Sequence, residues 1–562
     1  MPDLETIRSL LYDPPSSLTW NRLWGALKKF SPKMLEDVVI PYVQSHLAQW
    51  PAGQRIVQSE LKPVIFGGNA PDQALKATAW LLFPLSDHLR VQNRRLTSAE
   101  LIHLSNNAHL KHLTHLTLSL GSDISQDALV CFGLSRHLTR LESLTLSGVT
   151  FSVPSARALF SGPWFSSLQQ LTLTSVTFAG PVDHPLGLVN LTAMSLINSE
   201  VAPFVESMHS QVPLEKLEMR GTSAAKSLKL LIRMAPVLKS LAFSSWSRED
   251  PLGVVASYLP LRDHLESLSI GHVHWAEPFK MMQGKRWHRL RRIDLKGCDL
   301  TPERVRTLCA LSSLPALEEL NVSFVPVGDC VVEALGEGVL GKHLIALGLR
   351  GTSLSRGGLR SLLAHESFKA LKALDIRSNP RLGVTGLRLL GQEHRLIAIE
   401  SLRLNGNALT DELVALIEGN PSFGALSQLM VLPCALSIQG VFMRMTSQSP
   451  VTCRRVLTDF LDGYFERKDL FGYLKSQGVK VPSRERDKGN LIAVMIGHVY
   501  DDPEQLAQLL ISPITLRKLS SKTLRATLKR ARVKGFSKLG RAALEARIRM
   551  VLGEDGAGLL SA

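Results

Sequence analysis

The densest group of side chains that could do chemistry is a run of basic residues near the C-terminus. Twelve lysines and arginines lie within residues 511–550, against a single acidic residue, Glu545. Residues 451–562 carry a net charge of +9, more than half of the +16 of the whole chain. Basic groups at this density neutralise phosphates or pair with carboxylates. The charge bias therefore indicates a polyanionic partner, with a solvated basic surface and the docking of an acidic protein as alternatives.

Catalytic motifs are absent from the sequence. There is no phosphate-binding glycine loop, no Gly-x-Gly-x-x-Gly after a strand, no His-Glu-x-x-His and no Gly-x-Ser-x-Gly elbow. His103, His109, His112 and His115 lie close together, but their segment changes from helix to strand, so they cannot share one face. They are interpreted as ordinary structural histidines. The chain is predicted to be no enzyme and to hold no cofactor and no metal.

One short pattern, Leu-x-x-Leu-x-Leu, recurs thirteen times in the middle of the chain and must position whatever binds there. The copies begin at Leu113, Leu141, Leu168, Leu191, Leu214, Leu238, Leu265, Leu290, Leu317, Leu344, Leu371, Ile399 and Leu426. Successive copies start 23 to 28 residues apart. Such a period is typical of a solenoid, because one unit cannot bury its leucines alone and stacked units can.

Residues 290–308 indicate that each unit is a strand followed by a helix. Apolar and polar residues alternate at the strand period in residues 290–295. Thr301 and Pro302 are typical of a helix start, and Leu308 continues an apolar face at helical spacing. Each unit therefore combines a short strand, a tight turn and a helix.

This repeat resembles that of the leucine-rich-repeat family, and its 27–28-residue units are similar to the ribonuclease-inhibitor-like branch. The resemblance covers residues 106–433, about thirteen repeats. It implies an α/β solenoid with a curved parallel sheet on the concave side and helices outside. The family usually places Asn, Cys or Thr three residues after the last strand leucine. Asn379 and Asn407 follow this rule whereas Val149 does not, so we expect a less regular N-terminal half. The 23–24-residue units around residues 191–240 predict a turn or a brief helical piece.

One residue of each strand is expected to face the concave side. The series opens with small hydroxyl residues and becomes charged later, and it contains no large aromatic anchor. A partner in the groove is therefore expected at units eight to twelve, through a modest or polar interface, unless another surface is used or the sheet is merely solvated. The predicted protein-binding residues are Arg220, Asp294, Lys296, Asn321, Arg350, Asp375, Arg377 and Arg403.

Residues 1–105 have no repeat signature. Apolar residues recur there at helical spacing, and four of the eight tryptophans fall in this segment. The pattern predicts an all-α domain that caps the open end of the solenoid. The segment also resembles, weakly, the helical companion regions that precede leucine-rich repeats in some bacterial proteins.

The C-terminal part is predicted to be small and all-α, with a linker and helix at 434–466 and tandem modules at 467–562. The second and strongly basic copy, 519–552, resembles the helix–extension–helix module at the N-terminus of Rho transcription terminators and, more loosely, the SAP module. Two pairs of apolar residues four apart allow its helices to pack. These residues are Leu524 with Leu528 and Leu544 with Ile548.

Modules of this type bind nucleic acid through basic residues near the extension and the start of the second helix. The resemblance implies contacts through Lys534, Lys538 and Arg541. Neighbouring charge comes from Arg525, Lys529, Arg530 and Arg532. Binding of this kind is sensitive to salt and mostly independent of sequence.

The remaining composition bounds the location of the chain. Six widely spaced cysteines without a Cys-x-x-Cys pair suit a reducing cytoplasm, and neither a secretion signal nor a membrane-spanning stretch is recognisable. We expect a non-catalytic cytoplasmic adaptor, not bound to membranes, whose repeats bind an unknown protein and whose tail contacts DNA or RNA. The alternative is a protein-only scaffold whose tail docks an acidic partner. The sequence leaves the oligomeric state open.

Overall fold

The repeated leucines form parallel strands in each of the two units into which the chain divides, Met1–Leu290 and Arg291–Ala562. The computed structural model describes the chain except for residues 1–3, 14, 59–60, 67–77, 79, 93, 182–187, 207–211, 222–227, 229–230, 245–258, 272–278, 280–281, 283–285, 393–394, 432–436, 447–449, 480, 482–487, 500–501, 554–558 and 560–562.

The first unit builds its sheet from strands that follow one another in chain order. Its described strands are β1 (His88–Val91), β2 (His115–Ser119), β3 (Ser143–Ser147), β4 (Thr150–Phe151), β5 (Gln170–Thr174), β6 (Thr177–Phe178), β7 (Ala193–Ile197), β8 (Lys216–Arg220), β9 (Ser240–Ser244) and β10 (Ser267–Gly271). All pair in parallel with the next, except that β4 and β6 pair with each other in a small separate sheet. Equivalent leucines lie side by side, as Leu116 does with Leu144. The parallel sheet predicted from the leucine spacing is therefore confirmed.

Strand β1 shows that one repeat lies ahead of the thirteen found in the sequence. His88 lies opposite His115, so Ser86 occupies the place that Leu113 has in the next unit. Ser86 is buried, and its hydroxyl has no hydrogen-bond partner among the described residues. Because serine replaces the first leucine, the periodic pattern misses this unit. The prediction that residues 1–105 are all-α is therefore wrong at His88–Val91.

The remaining described elements of the first unit are helical. They are α1 (Leu4–Tyr12), α2 (Ser17–Leu27), α3 (Pro32–Met34), α4 (Ile40–Leu47), α5 (Lys62–Ile65), α6 (Ser98–Ser105), α7 (Gln126–Gly133), α8 (Val153–Phe160), α9 (Ala202–Glu206) and α10 (Leu259–His264), with a π-helical segment, Leu35–Val39, before α4. Trp20 and Trp24 are buried at the N-terminus and pack edge to face. Successive repeat helices such as α7 and α8 pack on one another.

The N-terminal repeats differ from expectation in one respect and agree in another. Strands β2, β3, β5 and β7–β10 each have five residues and keep an unbroken register, so the expected irregularity of this half is wrong for its sheet. Val149 and Val176 are buried as apolar contacts where a polar side chain was expected. The brief helical piece predicted for the short units is confirmed by α9, which has five residues.

The second unit continues the repeat with shorter strands of three residues. These are β11 (Arg292–Asp294), β12 (Glu319–Asn321), β13 (Ala346–Gly348), β14 (Ala373–Asp375), β15 (Ser401–Arg403) and β16 (Gln428–Met430), all parallel and in chain order. Repeat helices follow as α11 (Pro302–Cys309), α12 (Cys330–Glu337), α13 (Arg356–Ala364), α14 (Gly383–Leu387) and α15 (Asp411–Glu418). The predicted cap of α11 is present: the hydroxyl of Thr301 accepts a hydrogen bond from the amide of Arg304 at 3.4 Å.

Buried asparagines fix the turns that follow the strands of the second unit. The amide group of Asn379 donates to the carbonyl of Leu349 at 2.8 Å, and its oxygen accepts from the amide of Leu354 at 3.0 Å. Asn407 donates to the carbonyls of Ile376 and Leu404 at 2.9 and 2.8 Å. Both asparagines, at the position where the resemblance implies a polar residue, therefore bond to turn backbone.

Eight described helices follow the last strand: α16 (Ile438–Thr446), α17 (Pro450–Tyr464), α18 (Arg467–Ser476), α19 (Lys488–Val499), α20 (Pro503–Ile511), α21 (Pro513–Lys518), α22 (Ser521–Arg530) and α23 (Arg541–Leu552). Helix α22 packs on α16, where the hydroxyl of Thr527 accepts from the amide of Ile438 at 2.9 Å. Arg530 reaches Asp411 of the repeat helix α15 at 3.4 Å. The basic C-terminal helices are thus joined to the end of the repeats. The predicted domain boundary near 433 falls outside the described residues.

Candidate interaction surfaces

The strand face of the second unit forms a groove of about 370 Å³, which we call the strand groove. It is lined by residues of β11–β15, from Arg292 to Arg403. Four of the predicted protein-binding residues line it: Asp294, Asn321, Asp375 and Arg403. Lys296, Arg350 and Arg377 lie two residues after strands β11, β13 and β14. Seven of the eight predicted residues therefore belong to one surface or its edge.

Arg220 is the exception, because it ends strand β8 in the first unit. Its guanidinium pairs with Glu218 at 2.6 Å, and Glu218 also accepts a hydrogen bond from the hydroxyl of Ser195 at 3.0 Å. Arg220 does not line the strand groove, whose walls come entirely from the second unit.

Neighbouring repeats neutralise part of the charge in and beside the strand groove. Arg292 pairs with Glu319 at 2.7 Å, and hydrogen bonding to this carboxylate raises the pKa of the Arg292 guanidinium. Arg377 holds Asp375 through Nε at 2.8 and 3.0 Å. These pairs fix the orientation of their side chains, and the exposed Arg292–Glu319 salt bridge contributes at most about 1 kcal/mol to stability.

Other charges of the surface have no salt bridge of this kind within the described part of the chain. Asp294, Lys296, Arg350 and Arg403 make no salt bridge with any residue that the structure describes. The Asp294 carboxylate accepts only a turn hydrogen bond, from the amide of Lys296 at 3.0 Å, among the hydrogen bonds of the described chain. Charge of both signs is therefore available within one groove, which suits a polar protein interface.

An aromatic residue that the sequence reasoning missed lies beside the groove. Phe324 follows β12 by three residues and is 43% exposed. Its ring lies 5.4 Å from Nζ of Lys296 and 4.9 Å from Cζ of Arg350. Its φ of 61° is left-handed, a conformation that costs a non-glycine residue about 1–2 kcal/mol. The absence of aromatic anchors noted from the strand positions alone therefore does not hold for the whole surface.

The sequence does carry a signal for Phe324. It lies seven residues after the first leucine of its repeat, where the neighbouring repeats have Gly297 and Gly351, which are also left-handed. A large side chain where glycine is the usual solution indicates a local function, because the strain must be outweighed elsewhere.

At the C-terminus, helices α22 and α23 pack through the apolar pairs that the sequence predicted. Leu524, Leu528, Leu544 and Ile548 are each 0% exposed. The connection 531–540 turns at Arg532 and Gly535, both left-handed with φ of 57° and 78°. Phe536 lies in this connection and is partly exposed.

The seven basic residues predicted to touch nucleic acid fall into two groups. Three have partners within the chain. Arg525 donates to the carbonyl of Leu539, and Arg530 pairs with Asp411. Arg541 donates to three carbonyls at 2.6–3.0 Å, those of Leu516, Arg517 and Leu519. Nε of Arg541 also pairs with Glu545 at 3.0 Å. Arg541 therefore ties α23 to the C-terminal end of α21, a role that the charge pattern could not reveal.

The other four are exposed and have no salt bridge within the described chain. They are Lys529, Arg532, Lys534 and Lys538. They lie at the end of α22 and along the connection to α23. This cluster, which we call the basic connection, has the exposure that binding to a phosphate backbone requires.

The histidines at the start of the repeats have structural surroundings. His88 contacts the carbonyl of Gly53 at 3.1 Å and the hydroxyl of Thr117 at 3.0 Å, and burial lowers its pKa to about 4. Burial also lowers the pKa of His112 and His115. No set of three or more His, Cys, Asp or Glu residues in the described chain is arranged to hold a metal ion. None of the helices in the described part is long and apolar enough to cross a membrane.

Comparison with known proteins finds one curated relative with substantial identity over part of the chain. Ribonuclease inhibitor from Sus scrofa is 37% identical over 130 residues, which is 22% of this chain and 28% of that protein. The chain thus spans little more than a quarter of this relative. No known family profile matches the sequence.

Among solved structures, the yeast Rad7 and Elc1 complex matches with a TM-score of 0.37 and 15% identity, over 76% of this chain and 93% of that one. A Leptospira interrogans leucine-rich-repeat protein matches with a TM-score of 0.32 and 16% identity, over 62% and 85%. Likeness at this level carries no functional argument. The parallel strands at a regular step, with helices between them, have the fold of a leucine-rich-repeat solenoid.

Proposed function

We propose that this leucine-rich-repeat protein is a non-catalytic adaptor that binds a protein in the strand groove and nucleic acid at the basic connection. The observation that carries the first part is the open groove, in which Asp294 and Arg403 have no salt-bridge partner among the described residues. Such charges select a partner with complementary charges. The named activity of the pig relative, inhibition of a ribonuclease, is that of a protein that binds another protein, which supports the proposal.

The groove is tested by exchanging its charges without changing the net charge. The full-length double variant Asp294→Lys/Arg403→Glu is used as bait in native lysate, beside the wild type and the matched variant Glu337→Lys/Lys342→Glu. Glu337 and Lys342 are exposed and do not line the groove. Partners recovered by the wild type and the matched variant should fall at least tenfold with the groove variant. Equal recovery of every partner by all three baits would contradict the groove as the binding surface.

The nucleic-acid part of the proposal is supported by the basic connection, Lys529, Arg532, Lys534 and Lys538, and by the resemblance of its two helices to nucleic-acid-binding modules. Phosphate contacts release counterions, so the affinity should fall steeply with salt and depend little on sequence. Arg541 is left out of this cluster because its guanidinium is held by three carbonyls.

Full-length protein is required for this test, because α22 is hydrogen-bonded to α16 and paired with α15. Mobility shifts with 20-nucleotide DNA and RNA, single- and double-stranded, are measured from 50 to 200 mM salt. Lys534→Glu/Lys538→Glu should lower the slope of log affinity against log salt by about 1.4–1.8 if each lysine meets one phosphate. The control Lys342→Glu/Arg360→Glu removes the same charge from exposed positions elsewhere. No shift at 50 mM salt, or an equal loss in the control, would contradict nucleic-acid binding by this region.

A protein-only scaffold is the second candidate, favoured by ion pairs already present in the C-terminal helices. Lys518 pairs with Asp469 at 2.7 Å, and Arg530 with Asp411 at 3.4 Å, so this region binds carboxylates within the chain. If the mobility shift fails while an acidic protein is lost from the Lys534→Glu/Lys538→Glu bait, the scaffold is the better description. We place either form in the cytoplasm, which suits six widely spaced cysteines without a Cys-x-x-Cys pair.

A further inference from the structure

The position seven residues after the first leucine of a repeat has a left-handed backbone in nine described repeats. The residues there are Gly148, Ser175, Asn198, Gly221, Gly297, Phe324, Gly351, Ser378 and Gly406. All but Phe324 are small or are residues that adopt this conformation readily. The conformation is imposed by the strand ladder, since the amide of Phe324 donates to the carbonyl of Arg350 at 2.6 Å. The repeat thus forces a large aromatic residue into a conformation that it does not favour.

The surroundings hold the ring exposed between two cations. Lys296, Phe324 and Arg350 come from three consecutive repeats, and the two cationic groups lie 5.4 and 4.9 Å from the ring centre. A Cβ added at Gly351 would lie 3.2 Å from Cδ1 of the ring, so glycine at that position gives the ring room. Neither cation has a salt-bridge partner among the described residues. The cations lose little freedom on binding because the ring already orders them.

We propose that Lys296, Phe324 and Arg350 form a docking site for an acidic protein segment with an apolar residue between carboxylates. The carboxylates would pair with the two cations, and the apolar side chain would pack against the exposed part of the ring. The proposal rests on the strand groove being a protein-binding surface, and it specifies the chemistry of the partner there.

The local charge favours a protein over a nucleic acid. Asp294 and Asp375 lie two residues before Lys296 and Arg377, so carboxylates alternate with cations along this surface. A phosphate backbone carries one negative charge per nucleotide and would be repelled by them. A polypeptide, by contrast, can carry carboxylates only at the positions that face the cations.

Phe324→Gly is a sharp test because it removes the ring and relieves the backbone. The variant should melt no lower than the wild type, since glycine adopts the left-handed conformation without strain. The control is Ser378→Gly, which makes the same backbone change two repeats away and leaves the ring in place.

A phage library of random 12-residue peptides is panned against full-length wild-type protein, and the enriched clones are measured against each variant. Clones with acidic residues flanking an apolar one should bind Phe324→Gly at least tenfold more weakly and Ser378→Gly equally well. Clones without acidic enrichment, or with unchanged affinity for Phe324→Gly, would overturn the docking site. If clones that overturn the docking site nevertheless fail to bind Asp294→Lys/Arg403→Glu, the strand groove still binds protein and the proposed function stands.

Three further outcomes also count against the inference. Failure to enrich any clone overturns it, while the lysate experiment with the groove variant still decides the proposed function separately. Binding of a labelled 12-nucleotide dT strand that Phe324→Gly abolishes would show that the partner is nucleic acid and would overturn the protein assignment. A large fall in the melting temperature of Phe324→Gly would mean that the ring has a structural role.

Discussion

Asn379→Ala should destabilise the second unit through the turn that follows β14. Asn379 is 0% exposed, and its oxygen accepts the amide hydrogen of Leu354 at 3.0 Å. Alanine leaves that amide buried without a partner, which costs about 1–3 kcal/mol. The carbonyl of Leu349 loses the Asn379 amide but keeps the hydroxyl of Thr352 at 3.0 Å.

The other hydrogen bonds of the Asn379 amide group add less to the loss, because each carbonyl that it leaves keeps another donor. The carbonyl of Ile376 also loses a donor but keeps the amide group of Asn407 at 2.9 Å. The carbonyl of Arg377 loses the same amide group at 3.2 Å but keeps the amide of Gly351 at 2.9 Å. The two N–H groups of the Asn379 side chain thus lose their bonds to three carbonyls, worth about 0.5–1.5 kcal/mol per N–H, without creating a bare acceptor. Adding these to the orphaned amide gives a loss of about 2–6 kcal/mol in the free energy of unfolding.

Urea unfolding of the full chain, with hydrogen exchange at the Leu354 amide, measures this loss. Asn405→Ala is the matched control, because the side-chain oxygen of Asn405 is buried without a partner in the described chain. Its effect should stay within about 0.5 kcal/mol. A loss below about 1 kcal/mol for Asn379→Ala, or equal losses for both variants, would refute the assigned role of the turn asparagine.

Two further predictions follow from burial in the two units. Leu404→Asp places a carboxylate where the side chain is 0% exposed and should lower the free energy of unfolding by at least about 4 kcal/mol. The control Arg403→Asp changes an exposed neighbour and should alter urea unfolding little. Similar unfolding curves for the two variants would show that the strand register is wrong. Burial lowers the pKa of His88 from 6.5 to about 4, so between these pH values the folded first unit binds fewer protons than the unfolded chain. The first unit should therefore lose about 1–3 kcal/mol of stability as the pH falls from 6.5 to 4. Above pH 6.5 His88 should make the stability no more dependent on pH. Melting of the wild type and His88→Gln at pH 7.5 and pH 5 tests this, and a first unit that is more stable at pH 5 would contradict it.

The leucine period was sufficient to predict the sheet because each strand buries the same positions. It failed at β1, where Ser86 stands for the first leucine and only tertiary packing reveals the unit. The strand-face alternation likewise placed Asp294, Asp375 and Arg403 on one surface. It could not show that Arg377 and Asp375 already hold each other, because pairing depends on side-chain conformation.

The basic region shows the limit of reasoning from charge alone. Charge density marks Arg541 and Lys538 as equivalent, yet one is held by three carbonyls and the other is exposed. Phe324 lies in the turn after β12, so the alternation that marks the strand face does not reveal it. A comparison of turn positions between repeats would have found it, since glycine occupies the same place in both adjacent units.

The hydrogen bonds between α16 and α22 have a consequence during synthesis on the ribosome. Each repeat can stack on its predecessor as it emerges, but Ile438 and Gln439 find their partner at Thr527 only some ninety residues later. A nascent chain that stops before Thr527 would lack the hydrogen bonds that join α22 to α16 after the last repeat. Premature termination there should therefore yield a product that chaperones retain or proteases remove, even though every repeat has been made.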